Sequence, residues 1–130
     1  MEHNFDPTIG KFGIPRGDYE VIARDVLYEN GHVVILESEK SGRNIRVAEG
    51  LLDGKLFDIK GIEGTGEHNI FDKIKDTSNK GANTIVLFYP NKNIFSMQKI
   101  IDDYSKYLRT SKSQKIKDVY YIVDEKLYKL

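Results

Sequence analysis

The stretch "VAEGLLDGKLFDIKG", Val47 to Gly61, decides how the chain folds. Asp53-Gly54 sits between two apolar runs, and Asp-Gly is the pair that fills a two-residue type I′ hairpin turn, whose central residues both take positive φ. That turn sets Leu52 against Lys55, Leu51 against Leu56, Gly50 against Phe57 and Glu49 against Asp58, with Val47 against Lys60. The pleat then sends Ala48, Leu52, Phe57 and Ile59 to one face, and Val47, Glu49, Leu51, Leu56, Asp58 and Lys60 to the other. Both faces are largely apolar, so both are expected to be covered, leaving two carboxylates and a lysine in a partly buried pocket. Carboxylates opposite each other repel, and burial worsens the repulsion. A divalent cation would offset it, since Mg²⁺ takes one or two carboxylates and completes its shell with water and phosphate oxygens. The alternative is that Asp58 is an edge residue paired with Lys60 or Lys55 and has no catalytic part.

Outward from the hairpin, elements of helix and strand alternate. Asp18 caps a helix whose Ile22, Ala23, Val26 and Leu27 form an apolar stripe and which Gly31 ends. "HVVILES" reads as a strand, "EKSGRN" as a loop, and Ile45 to Leu52 and Lys55 to Gly61 as the hairpin strands. After the glycine-rich "GIEGTGEH", a helix over 67–80 leads into the apolar strand "NTIVLFYP", and a helix over 94–108 into "KDVYYIVD" and its hairpin partner "KLYKL". The glycine-rich segment lacks the Lys-Ser/Thr of a P-loop and the spacing of a dinucleotide fingerprint, so it reads as a rim loop beside the site.

Composition narrows the function classes. The chain has 130 residues, 39% apolar and 31% charged, with 20 basic and 20 acidic side chains. Its net charge steers it to no partner, and it has no cysteine for a disulfide or thiolate metal site. Its apolar runs are too short to span a bilayer and its N-terminus carries no apolar signal segment, so a soluble domain with no membrane partner is expected. Lys106, Arg109, Lys112, Lys115 and Lys117 form a basic run without an intervening acid. Such a run is either a solvated helix end or a phosphate-binding surface. His3, His32 and His68 have no ligand spacing. Tyr104, Tyr107, Tyr120, Tyr121 and Tyr128 read as packing residues before a base-stacking surface.

An acid, a short spacer and then Asp-Ile-Lys is the pattern of the PD-(D/E)xK nuclease superfamily, and "AEGLLDGKLFDIK" resembles its two active-site strands. The α-β-β-β-α-β order from Asp18 to Tyr89 resembles its core. More narrowly, "EVIARDVLYENGHVVIL", "AEGLLDGKLFDIK", "ANTIVLFY" and "VYYIVDEKLYKL" resemble the C-terminal tRNA nuclease domains of contact-dependent growth inhibition (CdiA-type) and related polymorphic toxins. The resemblance implies Glu49 and Asp58 as metal ligands, Lys60 as the catalytic lysine, and Glu20 as an acid from the first helix that adds a ligand. The chain departs from the pattern in having Ala48-Glu49 where Pro-Asp is usual. A lysine on the following helix can also face such sites, for which Lys73 and Lys75 are candidates, although a solvated helix face is the favoured reading of both.

The expectation is thus an arm over residues 1–17 and one α/β domain over residues 18–130, a mixed central sheet flanked by helices. It would be a metal-dependent endonuclease using magnesium, cutting tRNA as the toxic module of a larger delivered protein that acts in the target-cell cytoplasm and is met by a cognate immunity protein. A DNase of the same superfamily and a non-catalytic nucleic-acid or protein binding module are the alternatives.

Overall fold

A computed structural model of the chain describes residues 17–36, 50–66, 69–112 and 114–130. Residues 1–16 of the expected arm, residues 45–49 of the expected hairpin strand with Glu49, and His68 lie outside the described residues, and Gly17 begins the first helix. Among the described residues three α-helices and six strands follow in the order α1 (Gly17–Glu29), β1 (Val34–Leu36), β2 (Gly50–Leu52), β3 (Lys55–Gly61), α2 (Asn69–Asn79), β4 (Thr84–Tyr89), α3 (Met97–Thr110), β5 (Asp118–Val123) and β6 (Lys126–Lys129). One mixed sheet carries the strands in sequence order. β1, β2 and β3 run antiparallel in turn, β3, β4 and β5 are parallel, and β6 returns antiparallel to β5. The α/β architecture expected from the sequence is what forms.

The Asp53-Gly54 turn has positive φ at both residues, 50° and 84°. It pairs Leu52 with Lys55, Leu51 with Leu56 and Gly50 with Phe57. That is the register that Asp-Gly dictates, and the next pair in it, Glu49 with Asp58, falls outside the described residues. β3 is not an edge strand, because β4 runs along its other side from Phe57–Thr84 to Gly61–Phe88.

The pleat of the sheet divides the core in two. Phe57 and Ile59 of β3, Val86 and Phe88 of β4 and Ile122 of β5 pack under α1, against Tyr19, Ala23, Val26 and Leu27. Ile85, Leu87 and Tyr89, with Val119, Tyr121 and Val123, pack under α2 and α3, against Ile70, Ile74, Ile100 and Tyr107. Central β4 is buried at all six positions, as a strand covered on both faces must be. The third helix begins at Met97 and not at Ile94, because the Ser96 hydroxyl accepts the Lys99 amide and caps it there, and Lys92–Ile94 form a separate 3-10 turn.

Candidate active site

β3 owes its split character to its alternation. Phe57 and Ile59 enter the core beneath α1, so Asp58 and Lys60, one residue out of phase, face α2. Asp58 is 2% exposed. A buried carboxylate must be compensated, and it is. Its Oδ2 accepts from Lys80 Nζ at 3.1 Å and is ion-paired with Lys60 Nζ at 3.2 Å, while Oδ1 lies 3.2 Å from the amide of Ile59. Lys60 Nζ also donates to Asp76 Oδ2 at 2.6 Å, and Lys80 Nζ lies 3.8 Å from the same oxygen. Asp76 and Lys80 are four apart at the end of α2, a spacing that turns both toward β3.

The result is a ring of alternating charge, two carboxylates and two ammonium groups with no net charge. Burial works to lower the Lys60 pKa, but the hydrogen bond to Asp76 and the charge of Asp58 outweigh it, and the net direction is up. Lys60 is therefore an ammonium group throughout the neutral range, a donor of protons and hydrogen bonds and not a base. Exposure increases from Asp58 through the two lysines to Asp76, whose side chain is 26% exposed. The two ammonium groups thus lie between the buried carboxylate of Asp58 and the outer one of Asp76.

The chain covers its whole length, and 95% of its neighbour, in a match to the CdiA-CT/CdiI toxin and immunity complex from Burkholderia pseudomallei. The TM-score is 0.59 at 14% sequence identity, so the likeness is one of fold. Neither the family models nor the curated proteins compared with the chain match it.

Of the four residues singled out from the sequence, the structure brings together Asp58 and Lys60. Glu20 lies in α1, the helix that covers the other face of β3. Among the described residues it has no ion pair or hydrogen bond with Asp58, Lys60, Asp76 or Lys80. Asp76 and Lys80 were not foreseen. Lys80, and not Lys73 or Lys75, is the lysine that reaches the site, and Lys75 instead lies 5.5 Å from the centre of the Phe71 ring. The signal was present in Asp76-x-x-x-Lys80, but the pair resembles any exposed helical ion pair until β3 is laid beside it. Lys55, the alternative partner for Asp58, bonds Asp118 at 3.3 Å. Of the three histidines, His32 is accounted for locally, with Nδ1 2.6 Å from Asp53 Oδ2.

Among the described residues no three acids or histidines gather as a metal-ligand cluster. The donor chemistry nevertheless fits an ion at Asp58. Among the described residues its Oδ1 has only the adjacent Ile59 amide, and Mg²⁺ requires no more of a protein than one or two carboxylates.

Proposed function

We propose that the chain is a metal-dependent endonuclease, an RNase acting on tRNA in preference to a DNase, and that it serves as the toxic module of a contact-dependent growth inhibition or related system. The observation that carries the reading is the buried Asp58 with two lysines directed at it. It occurs on the second strand of a type I′ hairpin, in a fold shared with a chain of a CdiA-CT/CdiI toxin and immunity complex. Asp58 would hold the ion together with Glu49, and when bound the ion supplies Lewis acidity toward the scissile phosphate.

The chain's own residues account for the rest. Lys60, held protonated between Asp58 and Asp76, offers an ammonium hydrogen to a non-bridging phosphate oxygen, where negative charge grows during displacement. Asp76 fixes its direction through the 2.6 Å bond. Lys80 provides a second cation from the helix side, so the phosphate is approached from two elements that cannot rotate independently. The neighbour is part of a toxin and immunity complex. We extend that arrangement to this chain: a cognate partner that covers the lysine-lined entrance would silence it, and delivery into a target cell would expose it to tRNA. No described helix is long and apolar enough to cross a membrane.

Purified protein incubated with total RNA and with plasmid DNA, in Mg²⁺ and in EDTA, tests the proposal. RNA should be cut in Mg²⁺ only, and Lys60→Ala should reduce cutting by about a hundredfold or more. Folded protein that cuts neither polymer in any divalent metal would refute it.

A further inference from the structure

Lys60 and Lys80 hold Asp58 on different terms. Lys60 lies 3.2 Å from Asp58 Oδ2 but has a shorter bond elsewhere, 2.6 Å to Asp76 Oδ2, which it keeps if it leaves Asp58. Lys80 stands 3.8 Å from that Asp76 oxygen, too far for a hydrogen bond. Among the described residues its ammonium group donates to Asp58 Oδ2 alone, at 3.1 Å. The backbone that carries Lys80 is fixed at the end of α2. Its amide donates to the Asp76 and Thr77 carbonyls, and the next two amides, of Gly81 at φ 87° and of Ala82, donate to Ser78 and Thr77. The ammonium group therefore changes place only by rotation of its own long side chain, which is 18% exposed.

A divalent ion and these two ammonium groups compete for one carboxylate. Asp58 is 2% exposed, so the water that screens like charges at a surface is largely excluded around it. An ion on Oδ1 would stand one carboxyl group's width from both ammonium groups on Oδ2. The ring, two acids against two lysines among the described residues, would gain two positive charges with nothing to balance them. A phosphodiester changes this in two ways. It brings a negative charge, and it gives Lys80 an anionic partner outside the ring. We propose that Lys80 is a built-in counter-ion of Asp58, which keeps a divalent ion off that carboxylate until a substrate phosphate draws the ammonium group away. The proposal rests on the nuclease reading, and adds to it that ion and phosphate bind as a coupled pair, each raising the affinity of the other by the same factor. Without substrate the chain holds a divalent ion weakly.

Binding of Mn²⁺, whose free ion is counted by electron paramagnetic resonance, is measured apart from cleavage. The ion is titrated into full-length protein alone, with a 2′-O-methyl trinucleotide, and with the methylphosphonate trinucleotide of the same sequence, whose linkages carry no charge. Mn²⁺ held by each trinucleotide without protein is subtracted. The charged trinucleotide should tighten Mn²⁺ binding about tenfold, and the neutral one should leave it unchanged. Lys80→Met should tighten it about tenfold with no trinucleotide present, and adding the charged one should then gain little. Loss of a lysine that serves only the fold would weaken metal binding or leave it alone. The comparison of trinucleotides needs no variant, and decides the question if Lys80→Met does not fold. Coupled binding in a protein that cuts nothing would uphold the counter-ion and refute the nuclease. Cleavage by a protein whose Mn²⁺ affinity the charged trinucleotide does not raise would overturn the counter-ion and leave the nuclease standing. Equal tightening by both trinucleotides, or a folded Lys80→Met protein that binds Mn²⁺ no better, would overturn it as well.

Discussion

Asp58 shows how a residue's neighbours decide the sign of its contribution. Set only against Glu49, as the hairpin alone suggests, it would be a repelled carboxylate whose loss the fold tolerates. With Lys60 and Lys80 both within 3.2 Å of its Oδ2, it is instead the buried anion between two cations. Asp58→Asn should therefore destabilise the metal-free protein by about 2 kcal/mol, since removing one member of a buried pair leaves the others uncompensated. Urea unfolding in EDTA measures this, and an unchanged midpoint would mean that the lysines release readily to solvent. Lys60 adds a pH dependence. Its folded-state pKa is raised, so the stability it contributes is present in full below its unfolded value near 10.4 and is lost as pH rises through the higher folded value. Thermal unfolding from pH 8 to 12 should show a decline above about pH 10.4 that is shallower in Lys60→Met. The sequence could reveal Asp58 and Lys60 because their spacing on one strand is local. It could not reveal Asp76 and Lys80 as their partners, because that meeting depends on where α2 is laid.

Among the elements, the two hairpins make an informative pair. The first uses Asp53-Gly54, and the second turns through Asp124 and Glu125, both non-glycine and both at positive φ, 53° and 61°. The left-handed conformation costs an L-residue about 1–2 kcal/mol, so Glu125→Gly should stabilise the fold by about 1 kcal/mol, less the entropy that glycine adds to the unfolded chain. Denaturant midpoints will show whether it does. Asp-Gly announced the first turn from sequence, whereas Asp-Glu announces nothing, and β6 could be placed only by its apolar alternation. α1 is seated by a different glycine. A Cβ on Gly61 would come 2.5 Å from Tyr19 Cδ2, where Tyr19 packs on Phe88 and donates to Glu63 at 2.7 Å. Gly61→Ala should cost about 1–3 kcal/mol by overpacking, and Tyr19→Leu in the same chain should recover part of it. Gly61 followed the Asp-Ile-Lys motif in plain view, but its role depends on a contact 42 residues away in sequence.

On the scale of the whole molecule, α2 separates two surfaces. Its sheet-facing end brings Asp76, and just beyond it Lys80, to β3, while its outer side forms with α3 a groove of about 470 Å³ lined by Phe71, Lys75, Ser78, Asn79, Tyr107, Thr110, Ser111 and Lys112. Since both helices connect parallel strands over the same face, they run side by side, and their carboxyl ends meet in that groove. Lysines there have two physical uses. They compensate the negative ends of two helix dipoles, worth about 0.3–1 kcal/mol each, or they hold the backbone of a nucleic acid on its way to the cluster. Of the basic run seen in the sequence, Lys112 lines this groove and Lys106 lies 4.5 Å over the ring of Phe71, another of its lining residues. Each phosphate contact adds about 0.7–0.9 to the slope of log K against log salt, so the uses can be told apart. If the backbone crosses the groove, Lys75→Ala with Lys112→Ala should reduce that slope by about 1.5 in fluorescence anisotropy with single-stranded RNA, while unfolding changes little. An unchanged slope with a lowered unfolding midpoint would assign the lysines to the helix ends, and the strand would then have to reach Lys60 from the β2 side of the sheet.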